Sequence, residues 1–379
     1  MRRAALIGIC LVAATAAWTM AGRHGRALAL LVIATDIEGW PRRFAGMHER
    51  PVTERPLEIE TRTRTVRARL YHPAEGNWRP VVVLSGVHPE GIDDPRLAHF
   101  ARSLAAIGLG AVTPELPGIF DFEIGPEATD LIEDIAAWTA ESPEVGRGHR
   151  VGLAGISFSG GLAVVAAGRE SVRDRIAFVL AIGGHGDLPR TLDTLAGGIL
   201  TDTSEATTDA FGLAIVLASV APRVVPPEQV APLRQWARTF LTAAHLPFDD
   251  PAREQLFVEA GALAAALPEP AAGLAARAQA ADSAALRPDL LPHVRELAGD
   301  PALSPERSPA PAAPVYLLHG IDDPVIPPEE SVRLAAHLRP HVPVRVLLTP
   351  VLTHADLDTD PGVGEVVDLV RFLGSLLRH

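Results

Sequence analysis

Arg150-Val151-Gly152-Leu153-Ala154-Gly155-Ile156-Ser157-Phe158-Ser159-Gly160-Gly161 decides how the rest of the chain is read. An apolar run leads into a serine ringed by small residues, and an alanine-rich helical pattern follows at once. The order is strand, tight turn, helix, with a serine at the apex. Such a turn forces strained backbone angles on its central residue. Strand and helix then collide unless the residues two before and two or three after the serine are small. Gly155, Ser159 and Gly160 fill those positions. The usual pattern is G-x-S-x-G; here one glycine is replaced, giving G-x-S-x-S-G-G. Ser159 meets the same spacing rule if the strand runs on through Phe158, so spacing alone leaves two candidate nucleophiles.

Two later stretches carry the groups that would activate a serine. Pro314-Val315-Tyr316-Leu317-Leu318-His319-Gly320 reads as a buried strand ending in a turn. Ile321-Asp322-Asp323-Pro324-Val325-Ile326-Pro327 then puts two adjacent carboxylates on the loop. Val344 to Leu348 is another β-branched and leucine-rich run. Thr349-Pro350-Val351-Leu352-Thr353-His354-Ala355-Asp356 follows it and places a histidine on a loop before the last helix. A serine hydroxyl is a poor nucleophile until a base takes its proton, and the base needs an acid to orient it. The chain order is Ser, Asp, His.

On these motifs the chain resembles the α/β-hydrolases, in their dienelactone-hydrolase and esterase-like branch. The resemblance runs from about Leu57 to the C-terminus, apart from a long insert. It implies an α/β-hydrolase fold, a mostly parallel sheet with helices on both faces and a helical cap. It also implies that Ser157 is the nucleophile, Asp323 the acid and His354 the base. Asp323, not Asp322, fits the family pattern H-G-x-x-D-x-x-V/I-P. One oxyanion donor would be the backbone N–H of Phe158. The other would be that of Val87, in Ser85-Gly86-Val87-His88, which replaces the family's H-G-G-G. The implied reaction is hydrolysis of a small-molecule carboxylic ester through an acyl-enzyme, with no cofactor. A thioesterase, an acyltransferase or a non-catalytic binding protein of the same fold would leave the same pattern.

Strand and helix patterns alternate along the core, which indicates helices on both faces of a largely parallel sheet. Val66, Ala68 and Leu70 alternate with polar residues, as in a half-exposed strand with a hairpin near Thr63. Val81-Val82-Val83-Leu84 is fully apolar, as expected of a strand covered on both faces. Leu97, Phe100, Ala101, Leu104 and Ala105 recur at helical spacing, as do Leu131, Ile132, Ile135 and Trp138. The alternation stops after Gly184. Helical patterns at Phe211 to Val220, Val230 to Ala244 and Ala252 to Ala266 fill the gap, joined by proline-rich connections. The division read from this is a core of 57–185 and 310–379, with a helical cap or lid over 186–309. Residues 36–56, rich in proline and arginine, read as a linker.

Composition narrows the class further. The chain has 379 residues, 47% of them hydrophobic, enough for a large core. All 34 basic residues are arginine and the net charge is −12, which argues against a nucleic-acid surface. Cys10 is the single cysteine, so no intrachain disulfide forms, and no histidine or cysteine spacing matches a metal site. His88, His185 and His319 read as turn or strand-end histidines, with His185 close enough to the elbow strand to approach its crevice. Arg2-Arg3 precede Ala4 to Ala21, eighteen residues without a charge, near the lower limit of ~17–25 for a membrane span. Residues 1–35 therefore read as an uncleaved membrane anchor with the catalytic domain outside the cytoplasm. The alternative is a secretory signal, with Ala27-Leu28-Ala29 as a weak cleavage site. Arginines on both flanks leave orientation open, and the sequence does not indicate an oligomeric state.

Overall fold

A computed structural model describes residues 22–87, 90–119, 125–197, 199–201, 204–205, 210–246, 250–352 and 362–379. Its strands are β1 (Val52–Glu60), β2 (Thr65–Pro73), β3 (Arg79–Leu84), β4 (Leu109–Pro114), β5 (Val151–Ile156), β6 (Ile176–Ile182), β7 (Ile199–Thr201), β8 (Ser204–Glu205), β9 (Val315–Gly320) and β10 (Val344–Thr349). The core helices are α1 (Arg23–Ala34), α2 (Trp40–Gly46), α3 (Pro95–Ala106), α4 (Pro126–Glu141) and α5 (Phe158–Gly168), and, after the insert, α12 (Pro328–Leu338) and α13 (Val363–Leu376). The insert holds α6 (Leu188–Leu195), α7 (Ala210–Val224), α8 (Pro227–His245), α9 (Pro251–Ala266), α10 (Ala271–Gln279) and α11 (Ser283–Leu297).

Eight strands form one sheet in the order β1-β2-β4-β3-β5-β6-β9-β10. From β4 to β10 the neighbours are parallel, while β1 pairs antiparallel with β2 and β2 with β4. Successive side chains of a strand point to opposite faces, and β3 shows both faces covered. Val82 and Leu84 join one apolar cluster with α4, α5, α12 and the insert. Val81 and Val83 join the other, with α1, α3 and α13. The same division separates Leu317 from Tyr316 and Leu318 in β9.

In the N-terminal region, regular elements fall within the stretch read as a linker. The stretch read as a linker over 36–56 contains α2 and the start of β1, whose ladder with β2 runs from Val52 opposite Pro73 to Glu60 opposite Thr65. Pro56 sits within that ladder, on the edge strand, where a missing N–H is tolerated. The expected hairpin is formed around Thr61 to Arg64, with Thr61 N–H donating to the Arg64 carbonyl at 3.0 Å. The segment 1–35 also divides. Ala4 to Ala21 lies outside the described residues. Arg23–Ala34 is a twelve-residue helix that buries Ala27, Ala29, Leu30, Val32 and Ile33 against the body. Its His24 ring lies so close to Gly374 of α13 that a Cβ there would stand 2.5 Å from it. Among the described residues no helix is long and apolar enough to cross a membrane.

The insert is mainly helical, apart from the short β7–β8 pair. Its apolar residues, among them Leu213, Leu217, Trp236 and Leu290, belong to the same cluster as Leu84, Leu153 and Phe158. Trp236 stacks on Phe240, which meets Phe257 edge-on, so α8 and α9 share one aromatic contact. The two chain crossings between core and insert are tied by charge. Glu330 of α12, buried, accepts the backbone N–H of Gly186 at 2.9 Å and of Asp187 at 3.1 Å. It also binds the Arg190 guanidinium, which in turn reaches Glu306 on the returning segment at 2.7 Å. Arg307 closes the set on Asp187 at 2.6 Å.

Candidate functional site

The elbow is built from steric necessity. Ser157 has φ 56° and ψ −132° between the end of β5 and the start of α5. These angles mirror the ordinary extended region, and only glycine adopts them without strain. The turn is fixed by Ser157 N–H donating to the Ile182 carbonyl at 2.7 Å and by Gly160 N–H donating to the Ser157 carbonyl at 2.8 Å. A Cβ at Gly155 would stand 2.3 Å from the Ser159 carbonyl oxygen, inside any tolerable contact. One at Gly160 would stand 3.1 Å from the Gly155 carbonyl oxygen and 3.2 Å from the Gly184 Cα.

The two serines left open by spacing are placed differently. Ser157 occupies the turn and is half-buried. Ser159 is fully buried on α5, and its hydroxyl donates to the Ser85 carbonyl at 2.6 Å. Its side chain thus ties the elbow helix to the segment that begins the β3 loop. That loop closes on Ser157, since a Cβ at Gly86 would lie 3.2 Å from the Ser157 Cβ. Val87, the next residue, is half-buried against the first apolar cluster. Phe158 supplies the first N–H of α5. The elbow and the loop that carries Gly86 therefore lie together at the carboxyl edge of the sheet, where open α/β sheets place their ligand crevices.

The two adjacent carboxylates are also placed differently. Asp322 is exposed, whereas Asp323 is buried, with its side chain wholly covered. Asp323 Oδ1 accepts the backbone N–H of Val325 at 2.8 Å and of Ile326 at 2.9 Å. Its Oδ2 lies 3.3 Å from His319 Nε2. Because β6 separates β5 from β9, Asp323 stands at the same edge as the elbow, two strands along. His354, like His88, lies outside the described residues; the strand before it, β10, is paired in parallel with β9.

His185 does not face the crevice. It is fully buried behind Phe158, with the rings stacked 5.1 Å apart at 11°. Its Nε2 hydrogen-bonds the Leu303 carbonyl of the returning segment at 2.9 Å, and its Nδ1 has no partner. Burial holds this imidazole below its ordinary pKa, against the opposing pull of the Leu303 carbonyl and of the Glu330 and Asp187 charges. Gly161 makes room for it, since a Cβ there would come within 2.4 Å of the ring. Sequence reading missed this stack and the His319–Asp323 contact. The only signals were the glycines at position 161 and after His319. Among the described residues no group of three histidine, cysteine or acidic side chains is placed to hold a metal ion. An open cavity of about 660 Å³ lies far along α5, between Glu133, Arg169, Ser171 and Pro309, away from Ser157.

No protein-family model matches the sequence, and no curated protein matches it either. Solved structures do resemble its fold. The dienelactone hydrolase of Anabaena variabilis aligns with 86% of this chain and 98% of its own, at 16% identity and a TM-score of 0.44. The hyperthermophilic esterase of the archaeon Pyrobaculum calidifontis aligns with 95% of this chain and 94% of its own, at 16% identity and a TM-score of 0.48. The strand order, the parallel crossovers and the strained serine turn between β5 and α5 are those of an α/β-hydrolase fold.

Proposed function

We propose that the protein is a serine hydrolase that cleaves a small carboxylic ester through an acyl-enzyme. The observation that carries this reading is Ser157 itself, a residue with a side chain held at φ 56° at the head of α5. Strain of this kind is retained where the surroundings enforce it, and here glycines at 86, 155 and 160 clear the space for it. Ser157 Oγ attacks the ester carbonyl carbon while His354 takes its proton. The N–H groups of Phe158 and Val87 hold the negative oxygen that forms. Collapse of the tetrahedral intermediate breaks the ester bond, and His354 returns the proton to the leaving alcohol. Water, deprotonated by His354, then attacks the acyl group, releasing the acid and restoring Ser157. Asp323 orients the imidazole and faces the imidazolium as it forms. The helical insert over 186–309 serves as the lid on this crevice. Its continuity with the apolar cluster around Phe158 supports that role.

A fluorophosphonate probe tests the reading. Labelling is expected in the full chain, is lost in Ser157→Ala, and survives in Ser159→Ala. Labelling that instead requires Ser159 refutes the assignment, and a chain that is never labelled refutes the enzyme reading. With p-nitrophenyl esters of graded chain length, Asp323→Asn is expected to lower turnover by about 10³–10⁴-fold and Asp322→Asn to leave it nearly unchanged.

We also propose that Ala4 to Ala21 is an uncleaved anchor and that the hydrolase lies outside the cytoplasm. Cleavage after Ala29 would cut through α1, which is packed on the body; that favours an uncleaved segment. Fractionation with N-terminal sequencing decides. A soluble chain beginning near Leu30 overturns the proposal.

A further inference from the structure

Many arginines of this chain lie on carboxylates. Arg67 meets Glu115 at 2.9 Å, Arg102 meets Glu54 at 2.7 Å and Arg190 meets Glu306 at 2.7 Å. One corner departs from this habit. Arg79 opens β3, and its Nη2 donates to the Leu377 carbonyl just after α13 at 2.9 Å. Its ladder neighbour in β4 is Leu109. Gly108, the residue before, leaves room that the Arg50 guanidinium fills, since a Cβ there would stand 3.4 Å from Arg50 Cζ. Arg26 lies in the first turn of α1, two residues after the His24 ring that covers Gly374 of α13. Arg378 follows α13 and donates from Nε to His379 Nε2 at 3.1 Å. Segments far apart in sequence thus bring four arginines to the amino edge of the sheet, where β3 and β4 begin.

Among the described residues none of these four arginines makes an ion pair with a carboxylate. Like charges gathered on a partly covered surface repel one another and lose hydration together. Arg26 shows both effects: burial, then the charges of Arg79 and Arg50, hold its pKa below the ordinary arginine value. Burial and the charges of Arg378 and Arg79 hold the His379 imidazole low in the same way. The counter-charge such a set calls for is not supplied here by the chain, although its net charge is −12. Guanidinium groups present planar forks of N–H donors that match the oxygens of a phosphate. We propose that Arg26, Arg50, Arg79 and Arg378 form a site for a phosphate group, at the edge of the sheet opposite Ser157. The six residues of β3 span about 20 Å, so an occupant of this corner stays outside the crevice. The site is independent of the serine-hydrolase reading. Its phosphate has two sources of the same chemistry, the headgroup of an anionic phospholipid and a soluble phosphate. The Gly22 carbonyl accepts the Arg26 N–H at 3.1 Å, and Ala4 to Ala21 comes directly before it. The anchor proposed above brings a lipid surface to this corner, and basic residues beside a span attract anionic headgroups.

The test is a calorimetric titration of the full chain, held in dodecyl maltoside micelles at low salt. Three probes are compared: dioctanoyl phosphatidylglycerol, dioctanoyl phosphatidylcholine and inorganic phosphate. Phosphatidylglycerol is expected to saturate a single site. Phosphatidylcholine, whose choline cation the arginines repel, should bind far more weakly. Arg50→Gln and Arg378→Gln alter exposed side chains, and each is expected to weaken binding of phosphatidylglycerol by about five-fold. Arg333→Gln removes the same charge from an exposed position on α12 and should leave binding unchanged. Inorganic phosphate that binds as tightly as phosphatidylglycerol upholds the site and assigns it to a soluble phosphate; phosphate that binds more weakly assigns it to the lipid. No binding of either probe overturns the proposal. So does equal binding of the two lipids, or a loss in Arg333→Gln as large as in Arg50→Gln. A folded chain carrying both Arg50→Gln and Arg378→Gln that binds as the parent does overturns it as well.

Discussion

Replacing Ser157 by glycine should make the protein more stable than replacing it by alanine. The angles φ 56° and ψ −132° place the Cβ of any L-residue in conflict with its own backbone. Retaining a side chain in such a region costs about 1–3 kcal/mol, whereas glycine occupies the mirrored extended region freely. Against that gain stands the greater freedom of glycine in the unfolded chain, about 0.4–1 kcal/mol relative to alanine. The comparison with alanine matters because both variants lack the hydroxyl, so every hydrogen bond of Oγ cancels. Both also keep the Ser157 N–H bond to Ile182. The net expectation is about 1–2 kcal/mol in favour of glycine. Unfolding entropy of about 2.1 cal/mol/K per residue over 379 residues converts this to a rise of about 1–3 °C in Tm. Urea unfolding resolves the difference more directly, with calorimetry at one scan rate as the check. A Ser157→Gly protein no more stable than Ser157→Ala refutes the claim that the turn stores strain, even if both are inactive.

Three further outcomes follow from named contacts. Deleting residues 1–35 removes Leu30, Val32 and Ile33 from the second apolar cluster and uncovers Phe372 and Leu373. At about 1.5–3 kcal/mol for each large side chain, the loss is about 4.5–9 kcal/mol, so this truncation should be insoluble while deletion of 1–21 folds; a soluble 36–379 chain with unchanged Tm refutes the packing of α1. Glu330→Gln turns part of an acceptor facing Arg190 and two backbone N–H groups into a donor, and breaking a buried ionic set of this kind costs about 3 kcal/mol; faster hydrogen exchange at 186–190 and 304–307 is expected, and unchanged exchange counts against the stem. His185 is held neutral, with its pKa below the ordinary value, so the unfolded chain binds the extra proton first. Stability is therefore full above the ordinary histidine range and falls as pH drops through about 6.5, a slope that urea unfolding should show and that His185→Phe should flatten.

What could be read from the sequence was what local sterics dictate. The elbow is legible because its small residues answer contacts within a few positions, such as Gly155 against the Ser159 carbonyl. The insert is legible because α7, α8 and α9 break the alternation of strand and helix. One stretch misled, and another was counted with the N-terminal segment although it packs on the body. Apolar periodicity from Ala27 to Ala34 is the same whether a helix faces lipid or protein. The surface it covers, around Phe372 and Gly374, comes more than 300 positions later. Arg55-Pro56 reads as a breaker, yet on an edge strand a proline leaves no central ladder bond unmade. The His319 contact was hidden for a related reason. Its partners, Asp323, Ile326 and Ser331, are near in sequence, but whether a strand-end histidine turns inward depends on the helix that covers it.

The departure from G-x-S-x-G has a physical account in the same geometry. The position two after the nucleophile is usually glycine, to let helix and strand approach closely. Here the close approaches fall elsewhere. Gly160 meets Gly155 and Gly184, and Gly161 meets the His185 ring. The side chain at 159 points instead toward the end of β3, where a buried carbonyl at Ser85 needs a donor. A serine there satisfies that carbonyl, and it joins the helix that carries the Phe158 N–H to the loop that carries the Val87 N–H. A glycine would leave the Ser85 oxygen unpaired and add backbone freedom to the first turn of α5. The substitution thus exchanges clearance that Gly160 and Gly161 already provide for a bond between the two halves of the proposed oxyanion site. Precise placement of those halves is what lets two neutral N–H groups stabilise a developing charge.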